Sequence, residues 1–149
     1  MRASTPMTRN VTVIPPELPL RAAWEIMKRE RIRHIPIVRA GALFGMLSDR
    51  DVLVRGTLSK DGKLEVPEGI VAGEAMTPPP LHTCEPTTDV VDLARLMTEE
   101  KIDAVPVVRG LRLVGLVTST DLMQLLIRQD EARPLPFDFE LVEQRMEAL

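Results

Sequence analysis

Cysteine is almost absent from this sequence of 149 residues, which contains only Cys84. A single cysteine excludes a disulfide within the chain and points to a reducing compartment. The sequence also lacks a signal peptide and an apolar run of about 18 residues, the length that a membrane-spanning helix needs. We therefore expect a soluble, cytoplasmic protein.

The motifs of common enzyme classes are missing as well. The sequence has no nucleophile elbow, no HExxH motif and no glycine loop of the Walker or Rossmann type. Asp49 and Asp51 lie close in sequence, but no paired general acid accompanies them. The candidate soft metal ligands His34, His82 and Cys84 are too few for a zinc site. The sequence thus predicts neither an enzyme, nor a cofactor, nor a metal centre.

A strong excess of basic residues is also lacking, because the net charge is −3. A general electrostatic attraction to nucleic acid or to an anionic membrane is therefore not expected. The charge is unevenly distributed: residues 1–75 carry 12 Lys and Arg against 9 Asp and Glu, whereas residues 76–149 carry 7 against 13. The first half is the better host for an anionic ligand.

The sequence does contain an internal repeat. A shift of 70 positions gives nine identities over the 25 positions from 27 to 51, where average composition predicts roughly one or two. The identities include Met27 with Met97, Pro36 with Pro106, and Asp51 with Asp121. We infer that one ancestral half has been duplicated.

Each copy is predicted to contain a strand, a helix, a two-stranded hairpin and a second helix, from helical apolar spacing and from short apolar runs bounded by turn residues. In the first copy these elements are strand 11–14, helix 20–31, strand 35–38, strand 43–47 and helix 48–54. In the second copy they are strand 81–84, helix 89–101, strand 104–108, strand 113–117 and helix 119–128.

The copies are joined by residues 56–75, predicted as a loop with a short helix at 70–75, and are followed by an amphipathic segment at 137–149. We favour burial of that tail helix on a neighbouring molecule. The chain is accordingly divided into a first repeat with its linker (1–75), a second repeat (76–130) and a tail helix (131–149).

Each copy ends in the same motif, at residues 45–51 and 115–121: a glycine, two apolar residues, a hydroxyl residue, two variable positions and an aspartate. Ser48 falls where a helix N-cap belongs, and Asp51 completes a capping box. We expect free backbone N–H groups, a hydroxyl and a carboxylate to meet there, beside a glycine that permits close approach. The predicted class is α+β, with the two repeats packed sheet to sheet about a pseudo-twofold axis and the cap motifs flanking a shared cleft.

The pattern resembles a tandem pair of cystathionine-β-synthase (CBS) domains, a Bateman module, over residues 7–129. The resemblance rests on the Met-Thr openings at Met7 and Met76, the proline strands at 33–38 and 103–108, and the two closing motifs. It implies β-α-β-β-α units, a homodimer, and a regulatory role. It also implies binding of an adenosine-containing ligand (AMP, ADP, ATP or S-adenosylmethionine) between the repeats.

The resemblance further suggests which residues bind the ligand. The first site would use Ser48 and Asp51, with Arg33, His34 and Arg50 as candidates for phosphate, and the second site would use Thr118 and Asp121. The other residues expected to bind the ligand, by analogy with the first-strand threonines and the proline strands of the family, are Thr12, Ile35, Pro36, Thr83, Ala104, Val105, Pro106 and Thr120. Asp51 would accept hydrogen bonds from the ribose hydroxyls and Arg33 would neutralise phosphate. Asp103 replaces Arg33 in the second copy, so we expect an unequal pair whose first site prefers the phosphorylated ligand.

Less specific interpretations stay open at this point. Ser48 and Asp51 could serve only as a helix cap, Arg33 could be an ordinary solvated side chain, and His34 could be a surface or packing residue. The main alternative function is a ligand-free dimerisation scaffold that keeps the CBS architecture for its interfaces. The regulated partner protein is not identified by the sequence.

Overall fold

A computed structural model describes residues 1–129 of the chain. The tail helix predicted at 131–149 lies outside the described residues. The elements, in chain order, are α1 (Leu20–Glu30), β1 (His34–Arg39), β2 (Ala42–Ser48), α2 (Asp49–Arg55), β3 (Thr57–Leu58), β4 (Leu64–Glu65), α3 (Ala72–Ala75), α4 (Val90–Glu99), β5 (Ala104–Arg109), β6 (Arg112–Thr118) and α5 (Ser119–Gln129). No helix among these is long and apolar enough to cross a bilayer.

The duplication is visible in the backbone. Strands β1 and β2 form one antiparallel hairpin and strands β5 and β6 another, and both hairpins shift register at the same place, after Ile37 and after Val107. The hairpins join through the single pair Ala42 and Arg112, giving the strand order β1-β2-β6-β5. The predicted α+β class with two repeats is confirmed.

The leading strands predicted at 11–14 and 81–84 are reduced to single bridges, Ile14 to Ile37 and Cys84 to Val107. Around the first bridge, Ile14 N–H donates to Pro36 O and Val38 N–H donates to Ile14 O. The next ladder bonds would need N–H groups from Pro36 on one side and Pro16 on the other, and proline has none. The prolines therefore limit the pairing to one residue.

Each repeat has its own apolar core, and each core also contains residues from a segment outside that repeat's hairpin and main helices. Ala3 and Met7 are buried in the core of the second repeat, whereas Ala72 and Met76 pack in the core of the first. Residues 1–8 thus pack on the second repeat as residues 70–77 pack on the first. The division of the chain at residue 75 stays a prediction. Residues before that boundary pack in the second core, and Met76, after it, packs against the first core.

The linker contains more structure than a loop. Strands β3 and β4 form a short hairpin between the repeats, and α3 lies within the segment predicted as a short helix. Ala72 N–H donates to Leu18 O, and Leu20 N–H donates to Ile70 O. These bonds attach the end of the linker to the start of α1.

Candidate functional site

Helix α2 begins with the capping box that the sequence predicts. Ser48 N–H donates to Asp51 Oδ2 at 2.8 Å, and Asp51 N–H donates to Ser48 Oγ at 3.3 Å. The Ser48 hydroxyl lies 3.0 Å from the same Oδ2. Every hydrogen bond made to this carboxylate by residues 1–129 uses Oδ2, so Oδ1 retains its acceptor capacity.

The second copy repeats the cap. Thr118 N–H donates to Asp121 Oδ2 at 2.8 Å, and Asp121 N–H donates to Thr118 Oγ1 at 3.2 Å. A further bond fixes each cap to the residue that precedes its hairpin: Asp49 N–H donates to Arg33 O and Ser119 N–H donates to Asp103 O, both at 2.9 Å. The start of β1 is thereby held against the start of α2.

The expectation of free backbone N–H groups at this helix start is wrong for the first copy. Ser48 N–H and Asp51 N–H are used by the capping box, and Asp49 N–H is used by the Arg33 carbonyl. Arg50 N–H donates to Asp49 Oδ1 at 3.0 Å. Because all four donors already have acceptors, an anionic ligand must be bound here by side chains.

The glycine of the motif permits the close approach that the sequence predicts, and the segment that approaches belongs to the chain itself. A Cβ added to Gly45 would lie 2.3 Å from Met76 Sδ and 3.0 Å from Thr77 O. Met46 and Thr77 exchange two backbone hydrogen bonds across this contact. The close approach that Gly45 permits is therefore that of the chain's own 76–77 segment, which brings the residues after Thr77 beside the cap of α2.

A cavity of about 280 Å³ opens beside this cap, and we call it the central cleft. Its size lies near the lower end of the range of about 300–1,000 Å³ that is usual for small-molecule sites. Its lining comes from both repeats: Arg33, His34, Met46, Ser48, Asp49, Arg50, Asp51, Thr77, Pro80, Leu81, His82, Lys101, Ile102, Asp103, Ala104 and Pro106. A molecule bound there would contact the start of α2 on one side and the α4–β5 connection on the other.

The central cleft has an apolar part and a charged part. Its apolar lining includes Met46, Leu81, Ile102, Ala104 and Pro106. Its fully charged side chains are equal in number for each sign: Arg33, Arg50, Lys101, Asp49, Asp51 and Asp103. This combination suits a ligand that has a flat apolar portion and a polar, charged portion.

Two histidines also line the cleft. Burial lowers the pKa of His34, while the nearby Asp49 carboxylate acts in the opposite direction. His82 Nε2 lies 3.6 Å from Glu100 Oε2. His34 is therefore favoured in its neutral form near pH 7, in which one ring nitrogen can accept a hydrogen bond.

The structure brings together seven of the residues predicted to bind a ligand. These are Arg33, His34, Ser48, Arg50, Asp51, Ala104 and Pro106. In the structure Asp51 of the first repeat shares its cleft with Ala104 and Pro106 of the second, so residues of both repeats line one cavity.

The remaining predicted residues lie outside the central cleft. Ile35 and Val105 are completely buried in the two cores, and Pro36 is also buried, so these side chains stabilise the fold. The Thr12 hydroxyl donates to Glu30 Oε2 at 2.7 Å, and Thr83 is exposed.

The residues of the second cap are also separate from this cleft. Thr118 and Asp121 form the cap of α5, and Thr120 is exposed. Asp103, expected to disfavour phosphate at a second site, instead lines the cleft that contains Arg33 and Asp51. The argument for an unequal pair from the Arg33-to-Asp103 exchange is therefore not supported, because both side chains contribute to one cavity.

Several lining residues were not predicted from the sequence, among them Lys101, Ile102, Thr77, Leu81 and His82. Their position follows from the crossing of the 76–77 segment and of the α4–β5 connection to the cap of α2. The repeat alignment locates equivalent residues but does not show which copies face each other. Residues 1–129 contain no group of three or more His, Cys, Asp or Glu side chains that could hold a metal ion.

Comparison with known proteins places this architecture. The sequence profile of the CBS domain matches residues 5–56 and 72–128. The CBS domain-containing protein YhcV of Bacillus subtilis is 33% identical over 117 residues, which cover 78% of this chain and 79% of that protein. The first profile match spans the first repeat and the second match spans the second repeat.

Solved structures agree with this match. The crystal structure of a putative acetoin utilization protein, AcuB, from Vibrio cholerae superposes with a TM-score of 0.75 at 28% identity and covers 90% of this chain and 98% of that chain. The CBS domain pair of protein MJ0100, crystallised with 5′-methylthioadenosine and S-adenosyl-L-methionine, gives a TM-score of 0.73 over 87% of this chain and 98% of that chain. At 24% identity the second likeness shows the fold alone. The resemblance carried by the repeated motifs is confirmed, and the chain belongs to the CBS domain family.

Proposed function

We propose that this chain is a regulatory module that binds an adenosine-containing ligand, such as AMP, ADP, ATP or S-adenosylmethionine, in the central cleft. The single observation that carries the proposal is the Asp51 carboxylate. Its Oδ2 is held by the capping box, which fixes the group in place, while its Oδ1 retains acceptor capacity. A rigid carboxylate in a cleft is a suitable acceptor for the two hydroxyl groups of a ribose.

The other walls of the cleft suit the rest of such a ligand. Met46, Ile102, Ala104 and Pro106 offer apolar surface on which a purine ring can pack. Arg33, whose carbonyl accepts from Asp49 N–H, and Arg50, which follows Asp49 in the chain, supply guanidinium groups for phosphate. The occurrence of adenosine derivatives with the MJ0100 domain pair is in keeping with this ligand class.

The proposed signal is a change in how the two repeats are held together. The cleft is lined by α2 of one repeat and by the α4–β5 connection of the other, so a bound ligand would link them. The size of any shift is limited by the difference in ligand affinity between the two arrangements. A partner protein would respond to that shift in the cytoplasm, where the lone reduced cysteine fits.

We also propose a homodimer. Exposed apolar side chains are found on α2, at Leu53 and Val54, and on α5, at Met123, Leu126 and Ile127. Isolated exposed apolar residues are common, but several on one helix favour a protein interface. Sedimentation equilibrium on the full chain measures this directly.

Isothermal titration calorimetry with AMP, ADP, ATP and S-adenosylmethionine tests the ligand proposal, with Asp51→Asn as the site variant. Asparagine keeps an oxygen for Ser48 N–H but loses the charge, so the affinity should fall about 10- to 100-fold, the value of one or two charge-assisted hydrogen bonds. Asp121→Asn is the matched control, because it changes the equivalent cap of α5 outside the cleft and should leave binding unaltered.

Two results would contradict the proposal. Absence of heat and of a thermal shift with every ligand at millimolar concentration would favour the ligand-free scaffold. An equal loss of affinity in Asp51→Asn and Asp121→Asn would place the ligand elsewhere or reflect a general weakening of the fold.

A further inference from the structure

The helices that precede the two hairpins end in the same way, and each places a long cationic side chain in an unusual backbone conformation. Arg31 follows α1 with a φ of 55°, and Lys101 follows α4 with a φ of 54°. In the second repeat Ile102 N–H donates to Met97 O at 3.0 Å, which is the closing bond of a Schellman motif. Glycine is the usual residue at this left-handed position, because any side chain is strained there.

The two positions differ in what their side chains face. Lys101 lines the central cleft and Arg31 does not. Neither Lys101 nor Arg31 forms a salt bridge with another residue between 1 and 129, so the difference between them is that only Lys101 lines the cleft. Lys101 is therefore a cation that lines the cleft without an ion-pair partner among residues 1–129, kept at a position where glycine would be easier to accommodate.

The charge of the cleft depends on this residue. With Lys101 the cleft has three cationic and three carboxylate side chains. Without Lys101 it would have two cations, Arg33 and Arg50, and the same three carboxylates. An excess of carboxylates repels phosphate. The cleft thus avoids an excess of carboxylates, which would repel an anionic ligand, through a residue from the second repeat.

We propose that Lys101 binds the anionic group of the ligand and makes the cleft selective for a nucleoside phosphate over uncharged adenosine and over S-adenosylmethionine, whose sulfonium is cationic. The inference rests on the proposed function and narrows it to one ligand class. The Schellman motif fixes the backbone at Lys101, because Ile102 N–H, on one side of it, donates to Met97 O, on the other.

The test compares Lys101→Gly with Arg31→Gly by calorimetry, using AMP, adenosine and S-adenosylmethionine as probes. Both variants place glycine in an equivalent left-handed position, so their melting temperatures should shift alike, by no more than about 3 °C. Lys101→Gly should weaken AMP binding about tenfold, the effect of one charge-assisted hydrogen bond, and leave adenosine binding unchanged. Arg31→Gly should alter neither affinity. Lys101→Arg should keep most of the preference for AMP.

The outcomes separate this inference from the proposed function. If wild-type protein prefers AMP to adenosine and Lys101→Gly keeps that preference, the role of Lys101 is refuted and the ligand proposal stands. If wild-type protein binds adenosine or S-adenosylmethionine as tightly as AMP, the selectivity is refuted while the cleft remains a nucleoside site. If wild-type protein binds none of these three and neither ADP nor ATP, both proposals are refuted.

Discussion

The substitution Met7→Ala tests the crossing of segments between the repeats. Met7 is 9% exposed and packs in the core of the second repeat, although it lies at the start of the first repeat in the chain. Its Sδ would lie 2.7 Å from a Cβ on Gly115, so it covers the glycine of β6 directly. Truncating a buried methionine removes its transfer free energy and leaves a cavity, a cost of about 2–3 kcal/mol in the free energy of unfolding.

Urea denaturation followed by circular dichroism measures this cost. A loss of about 2–3 kcal/mol corresponds to a fall in melting temperature of about 5–10 °C for a chain of this size. Thr5→Ala is the control within the same segment, because Thr5 is exposed and should change the free energy of unfolding by less than about 0.5 kcal/mol. A similarly small effect of Met7→Ala would refute the crossing, since it is what a loosely attached terminus would give.

Further predictions concern β2 and the buried cysteine. Gly45→Ala should lower the free energy of unfolding by about 1–3 kcal/mol and weaken ligand binding. The new methyl group would displace Met76 and the Thr77 carbonyl from beside the cleft. Unaltered urea denaturation would contradict this contact. Burial raises the pKa of the Cys84 thiol to about 11, so native protein at pH 8 should react with a thiol reagent far more slowly than protein unfolded in urea. Equal reaction rates in the two states would show that Cys84 is accessible.

The local structure was predictable because it follows from short-range patterns. The spacing of Ser48 and Asp51 predicted a capping box, and the structure has it. Apolar periodicity predicted the hairpins and main helices, and their bounds differ from the expectation by only a few residues. Proline explains the main local failure, since Pro36 lacks the N–H that a longer leading strand would need.

The composition of the cleft was less predictable, because it depends on long-range packing. Nothing in the repeat alignment indicates that Thr77 pairs with Met46, or that Ala104 faces the helix that carries Asp51. Lys101 escaped notice for the same reason: on the sequence it is one more lysine at a helix end. The alignment identified the chemical groups, and only the tertiary structure shows which of them share a cavity.

A crystal structure of the full chain grown with AMP tests the central claim most directly. The account predicts density for the nucleotide in the central cleft, with the ribose hydroxyls within hydrogen-bond distance of Asp51 Oδ1, the purine against Ala104 and Pro106, and the phosphate near Lys101. Density for AMP beside Asp121 alone, or a cleft closed by protein side chains at saturating AMP, would contradict it.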